Sequence, residues 1–214
     1  MRERAEVGPL WLATLQELGE RVAHELRNAL NGAAVNLEVV RSRVGVADAA
    51  RVTPFVELAA DQLAQVARLN DALLWAVRPA PAPADVAVAA ERLVVLCAPI
   101  ARAGGGGLEL EPIDHPGLTS APPELVRLLL TRLLLDAAGA RAPARCIVGG
   151  GGGGGEGGAA RVEVLCPGGP PLALAEPLRL VAEAGGVGVE CASDRCLLVF
   201  PARGGESGGI SYQA

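Results

Sequence analysis

The sequence predicts an α+β protein in which an antiparallel helical hairpin is followed by a smaller domain of helices and short strands. Two observations carry this prediction. In the first 77 residues apolar side chains recur at steps of three and four, and after a proline–alanine segment the pattern changes to short strands alternating with helices. Helices grouped with a mixed or antiparallel sheet are typical of the α+β class.

The first helix is predicted from Leu10 to Val44, where apolar residues mark one face over nearly ten turns. Residues 45–53 form a short connector, and Pro54 suits the first turn of a second helix that runs to about Val77. The apolar stripe of this hairpin is longer than one partner helix covers well. We therefore expect two copies to pair as a four-helix bundle, which makes the protein a homodimer.

The segment "RPAPAPA" cannot continue a helix and is interpreted as a linker. The predicted organisation is a hairpin of residues 1–78, a Pro/Ala linker of 79–85, an α/β domain of 86–203 and a flexible tail of 204–214. Within the second domain helices are predicted at 86–102, 123–139 and 176–184, and strands at 108–111, 145–148, 161–165, 187–191 and 197–200.

A run of seven glycines at 149–155 invites comparison with a phosphate-binding loop. The run lies between two predicted strands, opens no helix and lacks a following Lys-Ser/Thr pair, which a phosphate loop requires. We interpret it as a hairpin loop.

Composition excludes several classes of function. The net charge of −5 argues against a nucleic-acid surface, which needs a basic patch. The five cysteines (97, 146, 166, 191 and 196) are odd in number and contain no CxxC pair, so we expect reduced thiols rather than a zinc site or a disulfide framework. No leader pattern and no long uncharged apolar run are present, and a cytoplasmic protein without membrane spans is expected.

The stretch "VAHELRNAL", residues 22–30, contains one of only two histidines. At about 100° per residue, His24 points away from the apolar stripe. Its helical neighbours are polar: Glu20, Arg21, Asn28 and Asn31. A solvated helix surface explains such a histidine by itself, and chemistry at the imidazole is the alternative. The other histidine, His115, follows a predicted strand beside proline and glycine and is interpreted as a loop residue without a role.

"HELRNAL" closely resembles the H-box of two-component histidine kinases, which lies on a helical hairpin that dimerises and carries the phosphoryl group. The resemblance implies that His24 is the phosphoacceptor and that Glu25 orients its imidazole and raises its nucleophilicity. It also implies that Asn28 takes the position linked in the family to placing water for dephosphorylation. A neutral imidazole is a good nucleophile near pH 7, and a carboxylate partner fixes its tautomer.

Residues 86–201 resemble the ATP-binding domain of the same family in element order, including "LVAEAGGVGVE" and "VFPA". The residues that bind nucleotide in the family are missing. Arg132 and Asp136 stand where the N-box has asparagines, and "CPGGPP" replaces the adenine-binding Asp-x-Gly-x-Gly box. The Cys166 sulfur cannot replace a carboxylate as acceptor, and too few residues follow Pro171 for an ATP lid. The resemblance therefore implies a degenerate ATPase-like α/β sandwich that binds no ATP.

A hairpin with an intact H-box before such a remnant is similar to the histidine phosphotransferases of the ChpT type. These dimers pass a phosphoryl group between the receiver domains of response regulators. The resemblance implies receiver domains and a second copy of the chain as partners. It implies no cofactor of its own, because the receiver brings the magnesium ion.

Two other functions fit the same sequence features. The chain could be a non-catalytic pseudokinase module that binds a response regulator. Alternatively, it could be a receiver phosphatase that uses Glu25 and Asn28, since attack by water does not need the imidazole as acceptor.

Overall fold

The computed structural model describes residues 2–43, 51–79, 82–113, 117–150 and 158–202, with side chains described from residue 7 onward. The helices are α1 (Arg2–Arg43), α2 (Thr53–Val77), α3 (Val86–Ala103), α4 (Pro123–Gly139) and α5 (Glu176–Ala184). The strands are β1 (Ala84–Asp85), β2 (Gly107–Leu110), β3 (Leu118–Thr119), β4 (Pro143–Gly150), β5 (Ala160–Leu165), β6 (Gly188–Cys191) and β7 (Arg195–Phe200). Within these residues, no helix is long and apolar enough to cross a membrane.

The predicted hairpin is confirmed. Its two helices bury small and branched side chains against each other and against the second domain: Leu18, Val22, Ala29 and Ala33 from α1, and Ala59, Leu69, Ala72 and Ala76 from α2. Towards the turn, the Asn36 amide donates to the Gln62 side-chain oxygen at 3.1 Å. A Cβ at Gly32 would lie 2.3 Å from the Gln62 amide nitrogen, so a larger residue there would displace the Gln62 side chain and its hydrogen bond to Asn36.

The first helix begins earlier than the sequence predicts, at Arg2 rather than Leu10. It continues through Pro9, which removes one backbone hydrogen bond and normally kinks or ends a helix. Val7, Leu10 and Trp11 pack against the hydrophobic core, and this packing accounts for the extension. The second helix agrees with its predicted range to within one residue.

The second domain packs helices on one face of a five-stranded mixed sheet, as the α+β prediction requires. The strand order is β2-β4-β5-β7-β6, with β2 parallel to β4 and the remaining pairs antiparallel. Side chains on β4 and β5 alternate in burial, which is the pattern of a sheet with one covered face. The strands on either side of the glycine run pair as a hairpin, and the first two glycines of the run belong to β4. Residues 151–157 and 203–214, which include the rest of that run and the predicted tail, lie outside the described residues.

A two-stranded sheet was not predicted. Ala84 and Asp85 fall within the predicted linker, yet they form β1 and pair with Thr119 and Leu118 of β3. The Asp85 carboxylate then accepts from the backbone N–H groups of Ala87 (2.9 Å), Val88 (3.3 Å) and Gly117 (3.2 Å). One side chain therefore caps α3 and fixes the segment that enters β3.

The hairpin and the second domain share one hydrophobic core, to which Leu18 and Leu69 of the hairpin belong. A buried arginine of α4 reinforces the junction. Arg127 is 6% exposed and donates to the carbonyl oxygens of Ala76, at 3.1 Å, and Arg78, while its guanidinium lies 4.3 Å from the Trp75 ring centroid. Burial lowers the pKa of Arg127 below its ordinary value. Arg127 thus satisfies the carbonyl of Ala76, in the last turn of α2, and that of Arg78, directly after the helix.

The expectation of reduced thiols is wrong for one pair of cysteines. Cys191 of β6 and Cys196 of β7 are opposite each other in the antiparallel register and form a disulfide. The sequence could not indicate this because the pairing depends on the turn between the strands. Cys97, Cys146 and Cys166 are free and buried, and burial raises the pKa of Cys97 and Cys146 to about 12.

We expect Asp85→Ala to destabilise the fold by roughly 1–3 kcal/mol, because it removes the cap of α3 and leaves the Gly117 N–H without its partner. Urea unfolding measures the change. Asp85→Asn is the matched control, since an asparagine oxygen caps as well as an aspartate. Equal stability of the wild type and Asp85→Ala would contradict this role.

Candidate functional site

His24 lies on the exposed side of α1, as the sequence predicts. The buried residues Leu18, Val22 and Ala29 point elsewhere, about 120–160° away around the helix axis. The imidazole is therefore accessible from solvent on the surface of α1.

The two neighbours named by the H-box resemblance differ in their environment. Glu25 is half-buried, and Asn28 is exposed one turn further along α1. Among the described residues, no hydrogen bond joins either side chain to His24. The orienting role of Glu25 and the water-placing role of Asn28 stay predictions. His115 falls within 114–116, outside the described residues.

Arg132 and Asp136, at the positions of the N-box asparagines, bind each other. Both the Nε and Nη2 atoms of Arg132 donate to the Asp136 carboxylate, with Nε at 3.1 Å from each oxygen. The remaining Nη1 atom of Arg132 donates to Glu17 of α1 at 2.5 Å. The other Glu17 oxygen accepts from Arg21 at 2.6 Å. We call these four side chains, Arg21, Glu17, Arg132 and Asp136, the ion-pair chain.

The ion-pair chain is partly shielded from water, with side-chain exposures between 26% and 38%. The hydrogen bond to Asp136 raises the pKa of Arg132 above its ordinary value, and this outweighs the opposite effect of burial. The four charges sum to zero. Arg132 makes a bidentate contact with one carboxylate and a single contact with another, the geometry for which a planar guanidinium is suited.

Next to the ion-pair chain is a cavity of about 390 Å³ between α1, the end of α4 and the segment after β5. It is lined by Arg21, Leu135, Asp136, Gly139, Pro170, Pro171, Leu172 and Ala173. The "CPGGPP" segment borders it, and its Cys166 is buried, with a pKa raised by that burial. A neutral thiol offers neither the charge nor the acceptor strength of the aspartate found there in the resembled family.

The described residues contain no group of three or more His, Cys, Asp and Glu side chains close enough to hold a metal ion. Asp136, the carboxylate at the N-box position, is already bound to Arg132.

The partners of the two arginines on α4 were not predicted from the sequence. Glu17 and Arg21 are four residues apart on one helix, a spacing that signals an intrahelical ion pair. The two arginines of the apolar helix α4 signal that partners must exist, because a charge that leaves water needs them. Sequence spacing does not identify those partners, since Glu17 is 115 residues from Arg132 and Ala76 is 51 residues from Arg127.

No protein-family model matches the sequence, and no curated protein matches it. Solved structures similar to the chain include three histidine kinases. The blue-light-activated kinase EL346 of Erythrobacter litoralis is 13% identical with a TM-score of 0.44, over 78% of this chain and 62% of that one. AdeS of Acinetobacter baumannii is 13% identical with a TM-score of 0.41, over 85% and 98%. A kinase of Burkholderia phymatum STM815 is 17% identical with a TM-score of 0.39, over 87% and 99%.

The chain thus spans less than two thirds of the first of these structures. Likenesses at these TM-scores do not decide the function, and the residues of this chain carry the proposal that follows.

Proposed function

We propose that the protein is a phosphorelay histidine phosphotransferase that moves a phosphoryl group between the receiver aspartates of response regulators through His24, without binding ATP. The observation that carries the proposal is the combination found on α1. An accessible His24 stands in an H-box sequence, while Glu17, two turns earlier, is bound to the residue that replaces an N-box asparagine.

The chemistry requires little from this chain beyond a positioned imidazole. The unprotonated ring nitrogen of His24 attacks phosphorus, and the new N–P bond forms as the acyl P–O bond of the receiver's aspartyl phosphate breaks. The electron pair of that bond returns to the aspartate. The N–H on the other ring nitrogen is the group that Glu25 would hold. Because the aspartyl phosphate is already reactive, positioning supplies most of the catalysis.

Arg132 and Asp136 bind each other, and this favours a receiver's aspartyl phosphate over ATP as the donor of the phosphoryl group. In the resembled family these positions serve the nucleotide and its magnesium ion. Here the Asp136 carboxylate and the Arg132 guanidinium are occupied by one another and by Glu17. A nucleotide would have to displace both contacts and approach a neutral thiol in place of an adenine-binding carboxylate.

The surface of the hairpin favours a homodimer. α2 exposes a stripe at alternating steps of four and three, the seam spacing of a helical bundle: Val56, Ala60, Leu63, Ala67, Asn70, Leu74 and Val77. α1 exposes Ala23, Leu30 and Leu37 at steps of seven. Nothing within the described residues covers these side chains, and a second hairpin has the shape and apolar character to do so.

A receiver phosphatase is the second candidate, favoured by the exposure of Asn28 one turn from His24. There the receiver's phosphate would pass to water placed by Asn28, and no phosphohistidine would form.

We expect His24→Gln to abolish acid-labile labelling of the protein by a phosphorylated receiver, because glutamine keeps the helix and its polarity but has no nucleophilic nitrogen. Glu25→Gln should slow transfer by roughly 10²-fold without abolishing it. Labelled phosphate on the His24→Gln protein would overturn the assignment. Receiver dephosphorylation that persists in His24→Gln and disappears in Asn28→Ala would favour the phosphatase.

Calorimetric titration with magnesium–ATP should show no saturable heat up to about 1 mM, which corresponds to binding weaker than about −4 kcal/mol. The ATP-binding domain of an active histidine kinase is the positive control. A micromolar dissociation constant would contradict this prediction and favour a kinase function for the chain.

Leu30→Asp should separate the dimer, because it places an unpaired charge in the seam at a cost of several kcal/mol, on the order of 3. Val35→Asp is the matched control, since Val35 is 64% exposed, compared with 48% for Leu30, and lies off the stripe. Light scattering measures the mass of each variant. A Leu30→Asp protein that stays dimeric at micromolar concentration would show that the seam lies elsewhere.

A further inference from the structure

We infer that Arg132 is a positioning residue for phosphotransfer: it clamps the second domain onto α1, so that the rim of that domain forms one wall of the receiver's docking site beside His24. This inference rests on the proposed function and assigns that function a residue outside the H-box.

The clamp joins two parts of the chain that are far apart in sequence. Arg132 projects from α4 and reaches Glu17 of α1 at 2.5 Å, while Asp136 holds the opposite edge of its guanidinium. Glu17 is engaged on both oxygens, because Arg21 binds the second one. Each member of the ion-pair chain thus restricts the next, and the direction of the Arg132 side chain is fixed at both ends.

The ion-pair chain, which forms this clamp, lies beside His24. Arg21 lines the cavity together with Gly139 of α4 and Pro170, and His24 follows Arg21 by three residues, about 4.5 Å along the axis of α1. His24 itself is exposed. The end of α4 and the Pro170–Ala173 segment form the rim of the second domain, and they border the cavity beside Arg21. A receiver that brings its aspartate to His24 would contact this rim.

A fixed rim lowers the cost of docking because it need not be ordered when the receiver binds. Loss of the clamp should then weaken docking and leave the chemistry at His24 unchanged. A positioning role therefore predicts a higher KM with an unchanged kcat. A general loss of structure would lower kcat as well.

The test compares Arg132→Met, Arg132→Lys and Glu163→Gln with the wild type. Methionine keeps the apolar stem and removes the charge, whereas lysine keeps a charge that reaches Glu17 but cannot form the bidentate contact with Asp136. Glu163→Gln is the control, since it breaks the exposed Arg195–Glu163 pair on the sheet, at 3.3 Å. Hydrogen exchange of the α1 peptide that contains Glu17 and Arg21 is measured, together with kcat and KM for a phosphorylated receiver.

We expect Arg132→Met to speed exchange in this peptide and to raise KM about tenfold while kcat changes less than about twofold. Arg132→Lys should fall between it and the wild type, and Glu163→Gln should match the wild type. Unchanged exchange in Arg132→Met would overturn the clamp. Faster exchange with an unchanged KM would overturn the positioning role. A wild type that transfers no phosphate would remove the proposed function, and the exchange result would still decide whether the clamp exists.

Discussion

The burial of α4 is the constraint on which the rest of the structure depends. This helix packs against α3, the sheet and the hairpin, and it carries two arginines that remain charged in folded proteins. The apolar side chains around this helix have no hydrogen-bond acceptor for a guanidinium. Both arginines find partners on the hairpin, Arg127 at the last carbonyls of α2 and Arg132 at Glu17 of α1. The hairpin and the second domain are therefore held as one unit with a continuous core, although a proline-rich segment connects them in sequence.

This arrangement gives the long helix α1 several different surfaces. A helix of 42 residues is about 63 Å long, so the second domain can cover one end and leave the other free. One face packs on α2, a second presents apolar side chains such as Leu30, and a third is polar and carries His24. These surfaces do not share residues, so the proposed dimer seam and the proposed receiver site are compatible on the same helix.

The residues at which this chain departs from the nucleotide-binding motifs of the resembled family also connect its two domains. An asparagine at position 132 could not reach across to Glu17, and without the guanidinium the Asp136 carboxylate would lose its partner. The same residues that argue against ATP therefore stabilise the contact between domains. The second domain can therefore lack the nucleotide-binding residues, as we propose, and still be well packed. Its helix α4 is buried along nearly its whole length.

The sequence by itself determined the existence of five helices, the main strands and the outward direction of His24, because each follows from the pattern of apolar residues along one segment. It did not determine the start of α1, which packing extends back through Pro9 to Arg2. It did not indicate β1 and β3, since two-residue strands carry no periodic pattern and form only when Asp85 and Gly117 are brought together. Periodicity also could not show which apolar face of α2 packs on α1 and which stays open. The contact between Arg132 and Glu17 was decided by the tertiary structure alone, because it joins charges that are 115 residues apart and only packing brings them within hydrogen-bond distance.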